Sequence, residues 1–236
     1  MPFREPMSLR PSSLLTLVTA LSLLGSGCAP GMLDDQPYPV GGPAGMSTEA
    51  WAHALAAHNR ASLLGQTRTS RLVVIDYSLP ATARRLWVVD IASGAVLMHE
   101  YVAHGVGSGG IMAYAFSNRE GSNQSSLGAF VTTNVYVGIR GLSLRLKGLE
   151  PGINDRALAR GIVIHGTTGV SESRARSGTM GRTNGCPAVS FAVSRQLIQM
   201  VQGGVVVFAW YPDRSFLARS DYLDRGAAAI RLSASD

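Results

Sequence analysis

Cysteine is nearly absent: the 236 residues hold two, Cys28 and Cys186. That excludes a disulfide framework, and no paired Cys/His spacing of a zinc site occurs. Charge is also sparse, at 15% of residues, and 21 basic residues stand against 15 acidic ones. The resulting charge of +6 favours anionic partners. The basic residues are nevertheless dispersed. Those of "SESRARSGTMGR" alternate with small polar residues, and "RSFLARSDYLDR" mixes signs. No basic helix and no aromatic-glycine RNA motif occurs, so nucleic acid is not an expected partner. There is no internal repeat, and no apolar run reaches the ~20 residues a membrane-spanning helix needs. Sustained helical periodicity is scarce, whereas 27 Gly and 11 Pro imply many turns. A 46% hydrophobic content suffices for a real core. A strand-rich domain is the expectation.

The N-terminus reads as a targeting segment. Arg4 and Arg10 precede "LLTLVTALSLLGSG", an apolar run of about 14 residues, the length of a signal h-region. Cys28 follows in "LLGSGCAP", where a lipoprotein signal would place an acylated thiol, although Gly25 stands where that pattern prefers a leucine-like residue. Ordinary cleavage near Ala29 is the competing reading. Either route exports the chain to the bacterial envelope, the first with a membrane anchor through Cys28. Residues 1–28 are therefore assigned as signal, and 29–69 as a Pro/Gly-rich tether with a short helix. That helix falls in "STEAWAHALAAHNRASLLG", capped by Ser47 or Thr48 and stopped by Gly65. Trp51, Leu55 and either Ser62 or Leu63 are its apolar positions.

From Arg71 the rhythm changes to short β-branched and aromatic runs: "RLVVIDYSL", "RLWVVDI", "AVLMHEYVA", "SSLGAFVTTNVYVG", "LSLRLKGL", "GIVIHG" and "VVVFAWYP". "ASG" reads as a hairpin turn, and "SFAVSRQLIQMVQGG" as a helix following Cys186. Trp87 and Trp210 read as core, Asp76 and Asp90 as strand-end caps, and His53, His58 and His99 as structural or exposed.

Cys186 is then the one thiol of an exported chain, held between Gly185 and Pro187. Such a leftover cysteine suggests reactivity. A nucleophilic thiol needs a base, and it needs N–H groups for the oxyanion formed on attack at a carbonyl. His165, closing the strand "IVIH" before Gly166, is the candidate base. A helix N-terminus near the sulfur would lower its pKa, and Gly185 would leave room for a substrate carbonyl.

"IVIHG" with "GRTNGCPAV" resembles the YkuD-like L,D-transpeptidases, in particular the murein L,D-transpeptidase catalytic domain branch. The runs "AHGVGSG", "FSNREGSNQSSLGAF" and "YVGIRGLSLRLKGLEPGIN" extend the likeness from about Leu72 to Leu223. The resemblance implies a mainly β sandwich or barrel with a helix after the Cys motif. It implies a catalytic domain over residues 70–223, followed by a tail at 224–236. It makes Cys186 the nucleophile and His165 its base, with Gly166 supplying a carbonyl to the histidine. Cys186 and Gly185 would offer the oxyanion N–H groups, and Thr183 holds the motif hydroxyl position. The better-known branch has histidine where this chain has Asn184, and an arginine after the cysteine where this chain has "PAV".

The implied reaction is acyl transfer on peptidoglycan stem tetrapeptides through a thioester, without metal or organic cofactor. The acceptor is a second stem amine giving a 3-3 crosslink, a protein lysine, or water as in an L,D-carboxypeptidase. A non-catalytic wall-binding lipoprotein is the rival outside enzymology. Thr183, Asn184, Arg182, Ser126 and His104 are the candidate substrate contacts. Ser126 and Gly128 stand where better-known relatives carry Thr-Pro-x-Gly. Ser117 and Asn118 fit a turn or a substrate contact equally.

Overall fold

The computed structural model describes residues 42–223. The signal segment, Cys28, most of the tether and the tail at 224–236 lie outside the described residues. Eight strands form one sheet: β1 (Arg71–Asp76), β2 (Leu86–Asp90), β3 (Ala95–Glu100), β4 (Gly128–Gly138), β5 (Gly141–Gly148), β6 (Val163–Thr167), β7 (Ala188–Ser190) and β8 (Val206–Trp210). Their order is β3-β2-β1-β8-β4-β5-β6-β7. The fold is mostly β, as the sequence implied.

β1 and β8 pair in parallel at the centre. Both read as nearly unbroken apolar runs because both of their faces are covered. β2 and β3 form the expected hairpin, with Gly94 at φ 72 in its turn. Beyond β3 the chain reaches the far edge, where the Ala103 N–H donates to the Ala188 carbonyl at 2.8 Å. This antiparallel bridge brings the two edges of the sheet together and bends it towards a barrel.

Helix α1 (Thr48–Leu63) packs on β1 and β8. Ser47 caps it by accepting from the Ala50 N–H. Its buried face is Ala50, Trp51, His53, Ala54, Ala57, His58 and Ala61. Leu63, one of the expected apolar positions, is exposed instead. Four alanines let the helix lie close to the sheet. Grouping it with the tether, as the sequence suggested, detaches it from the core it belongs to. The three structural histidines have defined roles. His53 stacks on Trp210 with centroids 4.6 Å apart, and His99 stacks on Trp87 at 4.5 Å. His58 Nε2 lies 2.8 Å from the Thr69 carbonyl.

Asp76 and Asp90 cap turns, accepting from the Ser78 and Ala92 N–H groups at 2.9 and 3.0 Å. Helix α2 (Glu172–Arg176) is a short exposed turn between β6 and the Cys motif. Helix α3 (Phe191–Val201) packs against β5, β6 and β7, and α4 (Arg214–Arg219) follows β8.

Candidate active site

His165 is buried on β6. Its Nδ1 lies 2.8 Å from the Gly166 carbonyl. Only a protonated Nδ1 can donate to a carbonyl, so Nε2 is left as the acceptor. Nε2 is buried and has no partner among the described residues. Burial lowers the pKa of the ring, against a smaller opposing effect of the Gly166 carbonyl. The resting imidazole is neutral. Gly166 is glycine for packing: a Cβ there would sit 2.5 Å from Phe191 and 2.7 Å from the Ser194 hydroxyl on α3.

The Cys186 turn is fastened from within and from outside. Thr183 Oγ1 donates to the Cys186 carbonyl at 2.7 Å and accepts the Gly185 N–H at 3.1 Å. The Thr183 N–H donates to the His104 carbonyl at 3.0 Å, and the Val106 N–H to the Thr183 carbonyl at 2.7 Å. The turn runs straight into β7, whose parallel register sets His165 beside Ala188. The sulfur lies 3.7 Å from the Gly161 carbonyl. The Val163 N–H also bonds it. Both groups are thus set by β6: the sulfur through Val163, and the imidazole through His165, which pairs with Ala188 two residues after the cysteine.

Burial raises the Cys186 pKa, and the Val163 N–H, Arg140 and Arg160 oppose it in that order. The expected helix N-terminus plays no part, because β7 stands between Cys186 and Phe191, the first residue of α3. A second correction concerns Gly185. Its N–H is occupied by Thr183, so it is not a free oxyanion donor. Nor does Gly185 leave room for substrate. At φ +120, a Cβ there would meet the Gln124 carbonyl at 2.8 Å. The close approach serves the protein's own backbone.

The family model for the L,D-transpeptidase catalytic domain matches residues 43–210. The chain belongs to the L,D-transpeptidase catalytic domain family. Solved structures similar to it include an L,D-transpeptidase from Mycobacterium smegmatis, 14% identical, with 60% of this chain and 59% of that one covered and a TM-score of 0.38. Another is an L,D-transpeptidase from Stackebrandtia nassauensis, 15% identical, with 61% and 57% covered and a TM-score of 0.38. A third is an L,D-transpeptidase from Xylanimonas cellulosilytica, 16% identical, with 70% and 81% covered and a TM-score of 0.35. The chain thus spans about three-fifths of the length of the first two. No curated protein matches it.

In this L,D-transpeptidase domain the matched span includes α1 and all eight strands. The other expected contacts are placed unevenly around its cysteine. Asn184 is exposed beside Cys186. Arg182 is exposed, with Nη1 donating to the Gly109 carbonyl at 3.1 Å. Thr183 is buried and used up in the turn.

His104, expected near substrate, is fully buried and cannot touch it. Arg85 Nη2 donates to His104 Nδ1 at 2.7 Å. Burial, with the Arg85 charge behind it, pushes the His104 pKa down to about 4. Ser126 is likewise buried, donating to the Ser117 carbonyl and accepting from Arg160. Ser117 makes a local turn by accepting the Arg119 N–H, and Asn118 reaches across to Asp155.

Sequence reasoning missed Ser125, Tyr77 and Arg160. The Ser125 hydroxyl donates to the Gly185 carbonyl at 3.1 Å and accepts the Gly105 N–H at 3.0 Å. In "SNQSSLG" the opposite orientation of neighbouring serines is invisible without their partners. Tyr77 is buried, bonds Ser125 and feels the charge of Cys186. Nothing in "NDRALARG" separates Arg160 from Arg156.

Proposed function

We propose that the domain catalyses cysteine-dependent acyl transfer on peptidoglycan stem tetrapeptides, with Cys186 as nucleophile and His165 as base. The observation that carries the reading is the histidine tautomer. Its Nδ1 is committed to Gly166, and Nε2 is a buried, unpartnered acceptor on β6, the strand whose Val163 also meets the thiol. Both pKa shifts favour the neutral pair at rest, thiol with imidazole. The thiol proton then moves to His165 Nε2 as sulfur attacks the carbonyl between the third residue and the terminal D-alanine.

The Cys186 N–H has no acceptor among the described residues and is the donor available to the oxyanion. As the tetrahedral centre collapses, His165 returns the proton to the departing D-alanine amine and a thioester remains. A second stem amine attacks that thioester, losing a proton to His165, and gives a 3-3 crosslink. We further propose that the protein acts in the bacterial envelope, exported by its N-terminal segment and either anchored through Cys28 or released by cleavage near Ala29.

The test uses the protein lacking residues 1–28, incubated with disaccharide-tetrapeptide and read by mass spectrometry beside Cys186→Ala. Crosslinked dimers that require Cys186 are the expected outcome. Tripeptide and free D-alanine without dimers would mean that water is the acceptor. No product and no Cys186 adduct from folded protein would overturn the enzymatic reading and leave wall binding.

A further inference from the structure

Arg160 ends the turn before β6, one residue ahead of the Gly161 carbonyl that meets the Cys186 sulfur. Its half-buried guanidinium donates to four oxygens, all neutral. Nη1 bonds the Ser117 carbonyl at 2.7 Å and the Ser126 hydroxyl at 2.6 Å. Nη2 bonds the Gln124 carbonyl at 2.6 Å and the Ser122 hydroxyl at 3.3 Å. Among the described residues it pairs with no carboxylate. A partly desolvated cation with only neutral acceptors is costly to hold.

Cys186 is the ionisable group whose charge acts on Arg160. The geometry agrees. A Cβ on Gly185 would lie 3.3 Å from Arg160 Nη2, so the guanidinium abuts the residue before the nucleophile. The segment it pins also carries Ser125, whose hydroxyl holds the Gly185 carbonyl.

We propose that Arg160 is a positioning residue for the nucleophile: its fork fastens the 117–126 segment against the Cys186 turn, and its charge is the counter-ion of the Cys186 thiolate. This rests on the acyl-transfer reading for its purpose and on the free protein for its test. Other groups face the sulfur. Arg140 acts on it from the β4–β5 hairpin and Tyr77 feels its charge from the segment after β1, while His165 lies on β6, two residues after the Val163 that meets the sulfur. Arg140 is exposed and screened by water, whereas Arg160 is held in place by its four bonds.

The experiment is the rate of Cys186 alkylation by iodoacetamide as a function of pH, without substrate, in wild type, Arg160→Met and Arg160→Lys. Thermal unfolding is followed on the same samples. Arg160→Met is expected to move the midpoint of the profile up by about one unit, with labelling about tenfold slower at a fixed pH below it. Arg160→Lys, which keeps the charge and loses the fork, is expected to stay close to wild type in the profile while unfolding at lower temperature.

A folded Arg160→Met with the wild-type profile would overturn the proposal. So would an Arg160→Lys that labels as slowly as Arg160→Met. Should Arg160→Met not fold, Arg160→Gln, which removes the charge and keeps amide donors, takes its place in both comparisons. If wild type forms no crosslinked product but the profile still moves, the proposed reaction fails and the role of Arg160 stands.

Discussion

At the scale of single residues, the site is a neutral pair poised by burial. The Cys186 pKa is raised by burial, so less thiolate is present at a given pH than an ordinary thiol would show. Alkylation of the free protein should therefore still be rising above pH 9.0, the ordinary value for a thiol. The His165 pKa is lowered, so the imidazole stays neutral through its ordinary titration near 6.5. Turnover should accordingly hold level as pH falls through 6.5 and drop only further into acid. A drop centred at 6.5 would show that His165 is not shielded as the structure has it. Gly185 is the second residue-scale case. Gly185→Ala must hold a side chain at φ +120 and push it into the Gln124 carbonyl. Strained backbone alone costs on the order of 1–3 kcal/mol. The variant should melt earlier and lose most crosslinking. Full activity would show that the turn is not held by Gln124 and Ser125.

At the scale of elements, the connection after β5 is a corner built around one buried acid. Glu150 Oε1 accepts the Ala129 N–H of β4 at 2.6 Å, and Oε2 bonds the Ser220 hydroxyl beyond α4. The Asn154 amide donates to the Leu127 and Ala129 carbonyls at 2.8 and 3.0 Å. This corner fixes the start of β4 and the turn leading to Arg160 and β6. Burial pushes the Glu150 pKa up to about 7, against an ordinary 4.5. Between those values the folded state holds a proton that the unfolded chain releases. Stability is therefore fully present below 4.5 and is lost as pH rises towards 7. The expected loss is about 3 kcal/mol. Glu150→Gln keeps the polar contacts without the charge. Its melting temperature should be flatter than wild type across that window, and parallel curves would exclude Glu150 as the source.

At the scale of the whole described domain, the sheet needs α1. Trp51 and four alanines cover β1 and β8, and His53 stacks on Trp210 of β8. A fragment beginning at residue 70 would bare that face. Its circular dichroism melt should lack the cooperative transition of the protein that begins at residue 42. A sharp, unchanged transition would show that the helix is dispensable. The closure of the sheet acts at the same scale. The bridge from Ala103 to Ala188 ties the strip at 103–106 to the strand that follows Cys186, so the position of the nucleophile depends on both edges meeting.

The sequence determined what can be read locally. Short β-branched and aromatic runs specified the strands, and the apolar continuity of "RLVVID" and "VVFAW" marked strands covered on both faces. The glycine-flanked thiol and the strand-end histidine are themselves local features, and "HG" with "TNGC" marks the candidate site in the sequence alone. Three things were decided by tertiary structure alone. Residues far apart in sequence, such as Arg160 and Ser125, became partners of the cysteine turn because the sheet edges meet. The Gly185 N–H was consumed by Thr183, which spacing does not reveal. The alanine face of α1 turned inward because small residues fit a close helix–sheet approach, and no hydrophobic count favours alanine over leucine. Each of these depends on which surfaces meet, and a linear pattern carries the preference of a residue but not the identity of its neighbours.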